Sequence, residues 1–182
     1  MNASRKMLPS NVLHPDEGAV EELWRQNVLT ALRMSQMTAK RMIQHGQRAE
    51  LEPGTMLGSI VNLSSITAQV TRPELLAYSM AAAAMDQMTR SLALALAPKG
   101  IRVNAVAFGS VMSASLKTAL KEHPDYRDRI VTGTPLGRIA SADEVAETVQ
   151  FLASDAAGFI TGQVLSVDGG RSLLDAAAAS AH

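Results

Sequence analysis

Apolar residues recur at three- and four-residue steps between residues 16 and 44. That spacing places them on one face of an α-helix, so the pattern predicts a helix there. A second helical stretch, rich in Ala and Leu, runs from about Leu76 to Leu96. A third begins at Ser141, which together with Glu144 has the residue types and the spacing of a capping box, and it runs to about Ala153.

Three short apolar runs lie between and after these helices. They predict buried strands at 59–65, 101–107 and 160–167, the last one broken at Gly162. Each run is apolar along its length, which is typical of strands that are covered on both faces. Helices and strands therefore alternate along the chain, and this order predicts an α/β fold with a parallel sheet. Residues 113–134 are polar and have the least regular pattern.

The composition narrows the class of protein. Apolar residues make up 47% of the 182 residues and charged residues 19%, as in a globular domain. The 17 basic residues balance the 17 acidic ones, so no basic excess favours nucleic acid or an anionic membrane. The absence of cysteine excludes disulfides and thiolate metal sites, and we predict no metal site. We find neither a transmembrane run of ~20 apolar residues nor a signal peptide, and we expect a cytoplasmic protein.

Polar and glycine residues follow each predicted strand. Ser64 and Ser65 end the first strand, residues 109–113 follow the second, and Asp168-Gly169-Gly170 follows the third. In open parallel sheets, ligands bind beyond the carboxyl ends of the strands. The sequence therefore predicts a site at this edge.

Several motifs stand in the order in which one enzyme family carries them. They are Asn62-Leu63-Ser64-Ser65, Tyr78 near the start of a long helix, Ile101-Arg102-Val103-Asn104-Ala105-Val106, Pro135-Leu136-Gly137-Arg138, Asp143-Glu144-Val145-Ala146, Thr161-Gly162-Gln163 and Val167-Asp168-Gly169-Gly170. Through these motifs the sequence strongly resembles the short-chain dehydrogenase/reductase family over residues 20–172. Members are oxidoreductases that use NAD(P)(H) to act on alcohols and carbonyls.

The resemblance implies a Rossmann-type, doubly wound parallel sheet. The chain would carry only its C-terminal half, about three strands with flanking helices. Residues 1–172 would form a single partial domain and residues 173–182 an Ala-rich, frayed tail. Asn2-Ala3-Ser4 resembles the family's Asn-Ala-Gly segment at the end of its fourth strand, which implies that strands one to four are missing.

The resemblance also implies a set of catalytic residues. Tyr78 matches the family's acid/base, and Ser65, thirteen residues earlier, matches the serine that holds the substrate oxygen. Asn27 matches the asparagine that supports a water or proton relay, although it is equally compatible with a structural hydrogen bond. The family has lysine four residues after the tyrosine, and this chain has Ala82 there. Ala82 can neither favour a tyrosinate by its charge nor hold the nicotinamide ribose.

Gly109, Val111 and Ser113 match the family's loop that contacts the nicotinamide carboxamide. The cofactor implied is NAD or NADP, and the two are not distinguished, because the residue that selects between them would lie in the missing part. The sequence contains no Gly-rich dinucleotide-binding pattern. Apolar side chains within 112–130 either line a substrate pocket or form the core face of a short helix; they are Met112, Leu116, Leu120, Tyr126 and Ile130.

Two kinds of function remain at this point. The first is an oxidoreductase that transfers hydride between NAD(P)(H) and a small alcohol or carbonyl substrate. The alternative is a catalytically inactive relative, or a fragment, that acts as a dimerisation or binding module. In either case the resemblance implies a homodimer or homotetramer that pairs through the helices at about 20–44 and 76–96.

Overall fold

The computed structural model describes residues 12–14 and 16–175. The Asn2-Ala3-Ser4 segment and the tail from residue 176 onward lie outside the described residues. Among those that are described, no helix combines the length and the apolar character needed to cross a membrane.

The first predicted helix is present and is longer than the pattern indicated. It comprises α1 (Glu17–Trp24), a π-helical segment (Arg25–Leu29) and α2 (Thr30–Arg48). The helix end predicted at about residue 44 was too early, because the helix continues through Gly46 to Arg48. A side chain at Gly46 would approach the side chain of Leu57 to 2.7 Å, so the glycine serves a close approach between elements.

The parallel sheet is confirmed. Strands β1 (Gly58–Ser65), β2 (Ile101–Phe108) and β3 (Val164–Val167) lie in the order β1-β2-β3 and are all parallel. The third strand is shorter than the predicted 160–167. Asn104 explains this, because its amide donates to the carbonyl of Ile160 and accepts from the N–H of Gln163, which holds the first half of the run as a loop.

Helices cover both faces of the sheet. On one face, Ile60, Ile101 and Val103 pack against α2 and α3 (Leu76–Leu96). On the other, Val106 packs against Val149 and Leu152 of α6 (Ala142–Ala153). Residues 113–134, whose pattern was irregular, form α4 (Ala114–Glu122) and α5 (Asp125–Thr132).

Strand β1 has an open edge in the described part of the chain. It pairs with β2 alone, and along its other side runs a groove of about 250 Å³ between α2 and α6. The groove is lined by residues of both helices and of the strand, among them Ser35, Thr38, Asn62, Val149 and Ala153. An unpaired edge of eight residues offers its backbone N–H and C=O groups to a further strand.

The start of α6 predicts a pH-dependent stability. Ser141 and Glu144 form the expected capping box, and Arg138 donates to both carboxylate oxygens of Glu144, at 2.8 and 2.6 Å. These Arg138 contacts and the backbone N–H of Ser141 lower the pKa of Glu144 to about 2. Because the folded-state pKa lies below the ordinary value of 4.5, this stabilisation is present above pH 4.5 and is lost as the pH falls toward 2.

Glu144→Gln should therefore remove a stabilisation that grows between about pH 2 and pH 4.5 and is constant above. Urea unfolding at several pH values measures it. Glu147→Gln, an exposed position on the same helix, is the control and should follow the unsubstituted protein. A difference between Glu144→Gln and the unsubstituted protein that is independent of pH over this range would contradict the assignment.

Candidate active site

The predicted catalytic residues gather around the first half of α3. Tyr78 lies in its first turn and is buried, 6% exposed, where it packs with Leu23 and Ala77. The turn that follows Ser65 and the π-helical segment that carries Asn27 both contact α3. The fold thus brings three positions that are far apart in sequence to one helix.

Ser65 has a defined hydrogen-bonding state. It ends β1 and caps the short turn Ile66–Ala68. Its hydroxyl oxygen accepts from the backbone N–H of Thr67 at 3.3 Å and from the hydroxyl of Thr67 at 3.0 Å. A serine hydroxyl has two acceptor sites and one proton, so the capacity that remains is to donate. Thr67, which the sequence reasoning missed, therefore prepares Ser65 to donate to an oxygen atom.

Asn27 lies in an irregular part of the helical segment. Its side chain is buried, 1% exposed, within the five-residue π-helical stretch. The hydroxyl of Thr30, the first residue of α2, donates to the carbonyl of Arg25 at 3.0 Å across this stretch. Single π-helical turns inside α-helices often occur at functional sites, and here the turn contacts α3.

Ala82 is fully buried one turn after Tyr78. The Ser64 hydroxyl lies 3.4 Å from the carbonyl oxygen of Ala82 and donates to the buried carboxylate of Asp86. The sequence reasoning did not identify this Ser64–Asp86 contact. A signal was present, because Asp86 follows Ala82 by four residues and so shares its helix face with Tyr78.

The loop after β2 is held at both ends. The N–H of Gly109 donates to the carbonyl of Val167, and the N–H of Met112 donates to the carbonyl of Ala140. Within the described residues, the N–H of Val111 takes no part in these bonds. The Ser113 hydroxyl caps α4 by accepting from the N–H of Leu116 at 3.2 Å.

The loop after β3 meets the same region. The Asp168 carboxylate accepts from the N–H groups of Gly170 and Ser172. Burial raises the pKa of Asp168, but the hydrogen bonds from Ser172 and Gly170 outweigh it, so the pKa is lowered. A side chain at Gly109 would lie 3.1 Å from the Cβ of Asp168 and 3.5 Å from the side chain of Ile66. The ends of all three strands therefore converge, as the sequence predicted.

Comparison with known proteins identifies this arrangement. The family model described as "Enoyl-(Acyl carrier protein) reductase" matches residues 10–172. A short-chain type dehydrogenase/reductase from Mycobacterium ulcerans has a similar solved structure, with a TM-score of 0.80 and 29% identity over 93% of this chain and 57% of that chain. The chain belongs to the short-chain dehydrogenase/reductase family.

Other relatives of this family member extend the comparison. An uncharacterised oxidoreductase of Schizosaccharomyces pombe is 38% identical over 86% of this chain and 58% of its own length. The solved structure of a gluconate 5-dehydrogenase from Burkholderia cenocepacia, in complex with NADP and tartrate, matches with a TM-score of 0.84 and 27% identity, over 96% of this chain and 64% of that chain. The chain thus spans about three fifths of the length of these relatives.

One backbone group of the loop after β2 has the chemistry needed at one end of a nicotinamide cofactor. A carboxamide needs both a donor and an acceptor, and the N–H of Val111, which is not used by the loop, is a donor of the kind required. The sequence has no residues of the kind that hold the cofactor's phosphates, because it contains no Gly-rich turn of the type found at a helix N-terminus.

The side chains proposed for a substrate pocket are only partly brought together. Met112 and Leu120 line a groove of about 460 Å³ with Pro124, Lys117, Lys121 and Arg127. Tyr126 instead stacks on His123, with ring centroids 4.6 Å apart. Leu116 and Ile130 do not line the groove.

Proposed function

We propose that this chain carries the catalytic part of an oxidoreductase that transfers hydride between NAD(P)(H) and a small alcohol or carbonyl compound. The observation that supports this most directly is the state of Ser65, whose only remaining hydrogen-bonding capacity is donation. A carbonyl or alcoholate oxygen is the group that such a donor binds. Tyr78 lies on the helix that packs against the same turn.

In the proposed reaction, Ser65 donates to the substrate oxygen and orients it. Tyr78 is the acid/base and moves the proton to or from that oxygen. Asn27 supports the proton's path to solvent. When bound, the nicotinamide cofactor supplies or accepts the hydride at the substrate carbon, and we propose that Gly109, Val111 and Ser113 contact its carboxamide end.

Ala82 limits this chemistry. In a relative with lysine at this position, the ammonium favours the ionised tyrosine. Alanine has no charge, so we propose slow turnover. We also propose that residues 1–172 are one domain, the C-terminal part of the family fold, followed by a tail at 173–182, and that the phosphate-binding turn belongs to a part of the fold that precedes it.

We propose a cytoplasmic homo-oligomer that pairs through α2 and α3. These helices expose large apolar side chains, which favour burial against another surface. Met34 and Met37 of α2 are 49% and 50% exposed, and Met80 and Leu94 of α3 are 52% and 81% exposed.

Titration of the 182-residue chain with NADH and NADPH, followed by nicotinamide fluorescence, tests the cofactor assignment. We expect saturable binding that Ser113→Ala weakens about threefold to tenfold, since one hydrogen bond is lost. Ser113 also caps α4, so Ser141→Ala, which removes a cap from α6, is the matched control and should leave binding unchanged.

The same titration is made on a chimera that joins this chain to the preceding part of the S. pombe relative's domain, which supplies the phosphate-binding part. A chimera that melts cooperatively but does not change the nicotinamide fluorescence would contradict the proposal and favour the alternative, a non-catalytic dimerisation or binding module. Equal weakening by Ser113→Ala and Ser141→Ala would remove Ser113 from the cofactor site.

A further inference from the structure

Arg171 is a partly buried cation beside the candidate site. It follows the Asp168-Gly169-Gly170 turn, and one terminal nitrogen of its guanidinium, Nη1, donates to the hydroxyl of Ser110 at 2.9 Å. Among the described residues, no carboxylate lies within ion-pair distance of it. A positive charge that is partly removed from water without a counter-ion is unfavourable.

A second guanidinium makes this position more unusual. Burial lowers the pKa of Arg171, and the positive charge of Arg72 lowers it further. The charge of Asp168 acts in the opposite direction and is the weaker of the two. Arg72 forms an exposed ion pair with Glu74 at 2.9 Å, whereas no described carboxylate forms one with Arg171.

Both arginines are connected to segments that carry candidate site residues. Arg72 lies in the segment between Ser65 and Tyr78. Ser110, which Arg171 contacts, lies in the loop between Gly109 and Val111. The turn that carries Arg171 and the turn after Ser65 meet at Gly109, where Asp168 and Ile66 are both neighbours.

The geometry of the guanidinium indicates which kind of ligand it binds. Nη1 donates to Ser110, and among the described residues the Nε and Nη2 atoms on the other edge make no hydrogen bond or ion pair. Two parallel N–H groups on one edge match the two oxygens of a carboxylate, and such bidentate pairs are stronger and more directional than single bonds. A carboxylate there also offsets the repulsion between Arg171 and Arg72.

We propose that Arg171 binds a carboxylate group of the substrate, which makes this protein specific for hydroxy or oxo acids. Only the assignment of the carboxylate to the substrate rests on the proposed function. The binding of the anion itself requires neither cofactor nor turnover.

The test uses the 182-residue chain without cofactor. Calorimetry at constant ionic strength measures the binding of malonate and, separately, of its neutral analogue malonamide. We expect malonate to bind and malonamide not to bind. Arg171→Leu should weaken malonate about tenfold or more, as expected for a charge-assisted bidentate pair. Arg90→Leu, which removes an exposed charge on α3, is the matched control and should not change the affinity.

Arg171→Lys separates geometry from charge. It retains the charge and loses the paired N–H groups, so we expect an intermediate affinity. If Arg171→Leu fails to fold, Arg171→Lys takes its place in the titration. In addition, malonate should shift the NMR signal of the Arg171 Nε–H in the unsubstituted chain. Equal affinity of malonate for the unsubstituted chain and for the Arg171 variants, or equal binding of malonamide, would overturn the proposal. A chain that binds malonate but not nicotinamide would retain the carboxylate site and lose the redox function.

Discussion

Replacing Ala82 with lysine is expected to raise the rate of nicotinamide-dependent carbonyl reduction about 100-fold, which is within the range for a positioned acid–base group. Ala82 lies one turn after Tyr78 on α3, so the new ammonium and the tyrosine hydroxyl share one helix face. A nearby positive charge favours the ionised form of a phenol. Asp86, one turn further along, supplies a counter-charge that offsets the cost of placing lysine at a buried position.

The measurement is the loss of NADH or NADPH absorbance with a panel of small aldehydes and ketones. It compares this chain with a chimera that joins it to the preceding part of the S. pombe relative's domain, since the chain spans 58% of that relative. Ala82→Met has a similar length without the charge and should give no gain. The added substitution Tyr78→Phe should abolish the gain. Equal acceleration by lysine and methionine would mean that the charge has no role.

Gly100→Ala is expected to destabilise the fold by about 4 kcal/mol or more, a loss reserved for severe backbone or core disruption. Gly100 has φ +67°, and a side chain there would lie 2.2 Å from the carbonyl oxygen of Thr55. The Gly100 carbonyl also accepts from the N–H of Leu57 at 2.6 Å, just where β1 begins. The clash would therefore separate the starts of β1 and β2.

Gly137→Ala is the matched control. Gly137 has the same φ of +67°, but a side chain there would meet nothing within 4 Å. Gly137→Ala should lower the free energy of unfolding by about 1–2 kcal/mol, which is the strain of an alanine in the left-handed region. Urea unfolding of both variants measures the difference. Equal losses for the two variants would show that the contact with Thr55 does not decide the stability.

The elements that the sequence predicted correctly are those whose signal lies within a few residues. The parallel strands, the long helix at Leu76–Leu96 and the capping box at 141–144 all follow local periodicity or local hydrogen bonding. The start of β3 was predicted too early for a reason outside local periodicity. Asn104, on β2, binds the backbone of Ile160 and Gln163, and this contact depends on residues distant in sequence.

The sequence by itself determined the alternation of helices and strands, the family, and the positions of Ser65, Tyr78 and the alanine at 82. Only the tertiary structure decided that Ser65 is left as a donor, that Ser64 contacts Asp86, and that Arg171 presents a free guanidinium edge beside the site. Local patterns record which residues face the core, because a helix or strand repeats every few residues. Hydrogen bonds and charge repulsion between distant segments exist only once packing has brought those segments together.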